Sequence, residues 1–289
     1  MVYCVGVYAS IHAEWRSLLL NSNAVNAVVA FVVKFEAEAL RSVAFTLPIL
    51  LGVTHPPSTL LPFQIAIPVI DVVAKMLDGA MAVGAADVTA SIFEALRLYL
   101  PLYSHEGAFL SLVKCVVCDS SEVRVGALDV IAVAASQNEA NYRYLVHNCR
   151  LFQIIGDFLN SSVALDDVAS TNKVLHFLIL IADKRGLIHD LFNAGLVKPV
   201  IHLLDHKGVR RNDIILYLFL LSNGSVMDVE QLASMGVIAE LGRCLNYFKV
   251  YDDVLQKVWT YGRASYDFNL VHQILGKYLC HPLASSHAH

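Results

Sequence analysis

The chain has 289 residues, of which 56% are hydrophobic and only 16% charged, and it carries a formal net charge of −4. Ordinary globular domains hold roughly 45–50% apolar and about 25% charged residues, so this composition suits elements that bury more than one face. The acidic balance provides no overall basic field, which argues against a general nucleic-acid binder.

From the N-terminus, MVYCVGVYASIHAEWR is apolar but lacks the positively charged leader of a signal peptide. The longest apolar runs, 27–33 and 44–53, are separated by Lys34, Glu36, Glu38 and Arg41. No window supplies the ~20 apolar residues of a membrane span. The six cysteines (Cys4, Cys115, Cys118, Cys149, Cys244, Cys280) fall mostly in apolar helical patterns, as buried thiols do in a reducing compartment. A cytoplasmic or nuclear protein is expected.

Leucine-rich helices begin near Asn26, Ile67, Phe109, Leu151, Leu196 and Val237, at separations of 41, 42, 42, 45 and 41 residues. Repeats of this length, roughly 40–47 residues, mark armadillo and HEAT-type helical arrays. Each interval predicts one layout. The first helix ends at a turn: Asp78-Gly79, Asp119-Ser120-Ser121, Asn160-Ser161-Ser162 or Asp205-His206-Lys207-Gly208. These residue types bond free backbone amides at turns and helix starts. A second helix follows, as in Ser91 to Leu100 and Val123 to Ala135, and then a short helix leads to the next anchor. Gly107, Gly195 and Gly236 precede anchors and suit helix C-caps. Between Asn26 and Ile67, prolines at 48, 56, 57 and 62, with Pro68 just after, require a loop or kink. The expected organisation is one solenoid over 1–280. In it, 1–66 form a diverged N-terminal cap and first unit, 67–280 form regular repeats, and 281–289 form a disordered tail.

The clearest single unit is Val237 to Ser265, VIAELGRCLNYFKVYDDVLQKVWTYGRAS, which follows Gly236. Its glycine, leucine-rich helix, short turn and second helix resemble one armadillo repeat. The resemblance covers about residues 24 to 280 and implies an all-α fold, a right-handed superhelical solenoid of about six units. In importin-like members of that family the second helix lines a groove, with a tryptophan and, four residues on, an asparagine. Residues four apart share a helix face. Here the positions read Trp259 and Arg263, then Phe219 and Asn223, then His176 and Leu180, then Asp129 and Val133. The ladder is broken, which argues against a receptor for lysine-rich nuclear-import signals. The partner-binding candidates are Phe219, Asn223, Trp259 and Arg263, with His176 and Asp129 extending the line. Trp259 and Phe219 equally suit packing between repeats. His176, inside the apolar run KVLHFLILIA, suits a core histidine.

Nothing in the chain carries enzymatic chemistry. There is no G-x-S-x-G, P-loop, strand-linked G-x-G-x-x-G or H-E-x-x-H. The pairs Asp166-Asp167 and Asp252-Asp253 read as caps and solvated turns. Lys184-Arg185, Lys207 and Arg210-Arg211 read as solvated loop charges. Cys115-x-x-Cys118 has neither a second pair nor nearby histidines to complete a tetrahedral zinc site, and reads as two small apolar residues. No cofactor or metal is expected. The expected function is a non-enzymatic scaffold or adaptor that holds a protein or peptide along a concave groove. The alternative is a regulatory subunit of an enzyme complex in mRNA deadenylation or in a kinase, phosphatase or chaperone system. The mRNA reading follows from a resemblance of Val123 to Ala135 and the next two units to the armadillo subunit of the deadenylation complex.

Overall fold

A computed structural model describes residues 63–82, 86–184, 187–223 and 226–237, besides residue 27. The anchor at Asn26, the proline-rich connection, Asp252-Asp253, Trp259, Arg263 and the C-terminal tail lie outside these residues. Every regular element among the described residues is helical, and none is long and apolar enough to cross a membrane. The chain divides into two compact units, Met1–Leu151 and Phe152–His289.

The first unit contains α1 (Phe63–Ala82), α2 (Ala86–Tyr99), α3 (Glu106–Val116), α4 (Ser121–Gln137), α5 (Glu139–Arg143) and a π-helical turn, Tyr144–Asn148. α1 packs on α2 and α3, and α4 packs on both α2 and α3. Polar side chains start the later helices. His105 accepts from the Ala108 N–H through Nδ1 at 3.1 Å, Ser120 from Val123 at 3.4 Å, and Asn138 from Ala140 at 2.9 Å. Each satisfies one of the amides left unpaired in a helix's first turn. Leu77, Leu100, Phe109, Leu112, Ala127 and Ile131 are among the fully buried residues of this core.

α2 and α4 approach closely because Gly126 has no side chain. A Cβ there would lie 2.4 Å from Cδ2 of Phe93, whose ring is buried. Behind α4, the fully buried Asn141 donates through Nδ2 to Leu100 O at 2.8 Å and to Ala134 O at 3.3 Å. One side chain thus ties α5 to the ends of α2 and α4.

Two expected features differ here. α1 continues through Asp78-Gly79 to Ala82 instead of turning. A glycine inside a helix costs about 1 kcal/mol, but Leu77 and Ala80 on either side are fully buried, so packing carries the helix past it. Gly107 lies in the first turn of α3 and is no C-cap. The short helix expected before it is absent as well. Pro101 disfavours helix at Leu100, and the Leu102 and Tyr103 N–H groups close turns on Tyr99 O instead.

The second unit opens on α6 (Leu151–Leu159) and continues with α7 (Ser162–Asp166), α8 (Val168–Ala182), α9 (Ile188–Asn193), α10 (Val197–His202), a 3-10 turn (Leu203–Asp205), α11 (Arg211–Leu221) and α12 (Val226–Ser234). α8 packs chiefly on α11. Asn172 fastens the pair, since its Oδ1 accepts from the Arg210 N–H at 2.9 Å and its Nδ2 donates to Gly208 O at 3.4 Å. α7 is an extra turn within the longest interval. Its Ala164 is fully buried, and Ala164 O accepts from Thr171 Oγ1 at 2.6 Å. Asp167 caps α8 by accepting from the Ser170 N–H at 3.1 Å, the capping role expected of it.

The repeat also appears in the backbone ahead of the anchors at Leu151, Leu196 and Val237. Arg150, Gly195 and Gly236 immediately precede Leu151, Leu196 and Val237, and adopt φ of 54°, 70° and 80°. At Gly195 the bonds form a Schellman cap: the Gly195 N–H donates to Phe192 O at 2.9 Å and the Leu196 N–H to Leu191 O at 3.2 Å. Glycine takes this conformation freely, whereas Arg150 holds it at a cost.

Candidate functional site

α2, α4, α8 and α11 are the second helices of four successive repeats. Counted from its first residue, each helix has a candidate position ninth in line: Glu94, Asp129, His176 and Phe219. Four residues further stand Leu98, Val133, Leu180 and Asn223, the last just beyond its helix. Glu94 and His176 are exposed, and the other six are half-buried. The opposite faces of these helices carry the core, including Ile92 and Leu96 on α2, Leu128 and Ile131 on α4, Leu175 and Leu178 on α8, and Ile214 and Leu218 on α11. The candidate residues therefore belong to one solvent-accessible stripe in each unit. It is formed by α2 and α4 in the first and by α8 and α11 in the second.

The two stripes differ in chemistry. In the first unit the ninth positions are both acidic, and Glu94 accepts from Arg97 Nη2 at 2.8 Å on the helix surface. In the second unit the stripe carries Asn172, Lys173, His176 and Leu180 on α8, and Leu216, Phe219 and Asn223 on and after α11. His176 faces solvent and is not the core histidine its apolar surroundings suggested. Its neighbours Leu175 and Phe177 are the ones that turn inward. Asn223 ends α11, and its N–H donates to Leu220 O at 3.0 Å. Two residues before Phe219, the Tyr217 hydroxyl is buried without a hydrogen-bond partner, and burial raises its affinity for its proton above that of ordinary tyrosine.

Counting from the helix start adds one residue that the sequence reading missed, Glu94. The resemblance to the family supplied tryptophan and asparagine as landmarks, and Glu94 matches neither. The loop charges Lys207 and Arg210 are exposed as expected, while Arg211 turns back to donate from Nε to Leu204 O at 3.1 Å.

The first helices show solvent on another side. Their outward lines read Asp71, Lys75 and Asp78 on α1, Gln153, Asp157 and Asn160 at α6, and Lys198, His202 and Asp205 at α10. α3 departs from this polar pattern with Leu110 and Val117, 48% and 63% exposed, on either side of Lys114.

No family model matches the sequence, and no curated protein matches it. Solved structures do. One engineered protein is similar over 93% of this chain at 17% identity with a TM-score of 0.62, and this chain covers 61% of that protein's length. A second engineered protein matches over 88% of this chain and 97% of its own, at 16% identity and a TM-score of 0.58. A computationally designed armadillo repeat protein for modular peptide recognition matches over 96% of this chain and 99% of its own, at 15% identity and a TM-score of 0.53. At such identities the likeness is one of fold, and the fold of this chain is the armadillo-type α-solenoid.

Proposed function

We propose that this chain is a non-enzymatic interaction scaffold that holds a peptide or a partner helix along the groove lined by its second helices. The observation that carries this reading is the shared register of Glu94, Asp129, His176 and Phe219. Four helices of unrelated local sequence leave the same position exposed or half-buried while burying the residue just before it. Stacked repeats expose a long, shallow surface of this kind, which suits extended partners better than small substrates. A designed solenoid of similar fold made for modular peptide recognition supports the same use. Among the described residues, no group of three or more histidine, cysteine or acidic side chains gathers as a metal cluster. The roles of Trp259 and Arg263, as the next pair along the line, belong to the same proposal, as does a cytoplasmic adaptor role.

Phe219 and His176 are the anchors on which affinity is expected to depend, since a few aromatic and cationic side chains usually dominate such interfaces. The test is selection of binding peptides from a random library on the immobilised full-length protein. Titration against a His176→Ala, Phe219→Ala variant follows. Both side chains reach solvent, so the variant is expected to keep its circular dichroism spectrum. Loss of at least about tenfold in affinity, roughly 1.4 kcal/mol, supports the groove. Equal affinity for the selected peptides places binding elsewhere and overturns the assignment.

A further inference from the structure

The outward lines of α1, α6 and α10 are polar, and α3 is the exception among the first helices. A single exposed apolar side chain is ordinary on a protein surface. α3 carries two of them on one stripe, Leu110 and Val117, with Lys114 between. Two helical turns, about 10 Å, separate them. Nothing in the helix itself asks for valine at 117. It is the C-cap of α3, where its N–H donates to Lys114 O at 3.2 Å, a backbone role open to any side chain.

The ion pairs beside the stripe cancel. Lys114 Nζ lies 3.3 and 3.2 Å from the two carboxylate oxygens of Asp78 on α1, and Lys75 Nζ lies 2.6 Å from Asp71 Oδ2. Glu106, one turn before Leu110, accepts from the Tyr144 hydroxyl at 3.4 Å. The stripe therefore presents no unpaired charge that would select a strongly acidic or basic partner. What it presents instead is an apolar surface around a bonded pair of opposite charges, which complements itself.

We propose that this face of α3 joins a second copy of the same chain in a weak, reversible dimer. Apolar, lysine, apolar reads alike in both directions along the stripe, and a twofold contact requires such self-complementarity. With the second copy antiparallel, Leu110 meets the second copy's Val117, and the converse contact forms at the other end. At the centre each Lys114 lies between its own Asp78 and that of the second copy, so the four charges alternate in sign. So few contact residues fall short of the roughly 800 Å2 per partner that a stable dimer buries. The association therefore depends on concentration. It uses first helices only and does not rest on the groove reading.

The experiment is sedimentation equilibrium of the full-length protein, kept reduced so that its thiols do not cross-link, at concentrations up to about 1 mM. Wild type is expected to show a monomer–dimer equilibrium. Leu110→Ser with Val117→Ser changes exposed side chains only, so this variant should keep its circular dichroism spectrum and dimerise at least tenfold more weakly. Lys114→Glu should also weaken dimerisation, because it sets four carboxylates together at the centre. Asp78→Lys combined with Lys114→Glu should restore it by exchanging the two signs. A wild type that stays monomeric throughout leaves this face to a different protein and overturns the inference. A dimer that persists in the Leu110 and Val117 variant places the contact elsewhere and overturns it as well. Failure of the exchanged pair to recover would refute the twofold charge arrangement on which the proposal stands.

Discussion

The contact between α2 and α4 makes Gly126→Ala the sharpest test of the packing. In an open helix position this exchange stabilises by about 0.5–1 kcal/mol, because glycine loses more backbone freedom on folding. Here the new methyl carbon would stand 2.4 and 2.6 Å from two ring carbons of Phe93. Non-bonded carbons rest at about 3.5–4.0 Å, so the helices must part by roughly an ångström or the ring must leave its rotamer. Phe93 is only 6% exposed, so its ring has little freedom to swing into solvent. Overpacking of this kind costs about 1–3 kcal/mol, which after the helix gain leaves a net loss of up to about 2.5 kcal/mol in place of the usual gain. Urea denaturation followed by far-ultraviolet circular dichroism measures it, with Phe93→Leu and the double variant closing a cycle. The leucine should relieve the clash, so the double variant should be more stable than the sum of the singles by about 1 kcal/mol or more. A neutral or stabilising Gly126→Ala, with no coupling to Phe93, would refute the close approach of α2 and α4.

Further outcomes follow from the same structure. Gly195→Ala, at φ 70° with nothing within 4 Å of the added carbon, should lose about 1–2 kcal/mol through the backbone alone, and Arg150→Gly, at φ 54°, should gain a few tenths to 1 kcal/mol, both read from urea midpoints. Asn141→Ala should cost about 2 kcal/mol by stranding two buried carbonyls, measured in the same way. Tyr217→Phe should raise stability at neutral pH by about 1 kcal/mol, because it removes a buried hydroxyl that has no partner. Alkaline pH extends that last test. The Cys115 thiol and the Tyr217 hydroxyl both hold their protons more tightly when folded. The folded state therefore binds more protons than the unfolded state above the ordinary thiol value of 9.0. Stability is fully present below that pH and falls as pH rises towards about 12. The fall should be shallower in Tyr217→Phe, as thermal melts across this range would show.

Periodicity made the architecture legible because a solenoid writes its fold in the spacing of its hydrophobic residues. Leu151 heads its helix and Leu196 stands at the N-cap of the next, as expected, and Leu151, Leu196 and Val237 are each preceded by a residue with positive φ. Local turn chemistry was less reliable. Asp78-Gly79 reads as a turn, yet the fully buried Leu77 and Ala80 on either side hold it in a helix, and only tertiary packing reveals that. Gly107 has the residue type of a C-cap but sits where His105 caps the start of α3. On the stripe, His176 was masked by its apolar neighbours. Within a helix that is apolar on most sides, only the phase of burial distinguishes Leu175 and Phe177, which pack, from His176, which does not.

Which face of the repeats carries a partner is the central question, and one binding comparison addresses it directly. A peptide selected on wild type would be titrated against three full-length proteins: wild type, His176→Ala with Phe219→Ala, and Leu110→Ser with Val117→Ser. The last pair changes the exposed apolar residues on the outward side of α3, where side chains 48% and 63% exposed leave the core untouched. A groove-binding scaffold predicts at least tenfold weaker binding to the His176 and Phe219 variant and wild-type affinity for the α3 variant. The reverse order would contradict the account and move the partner to the outer helices.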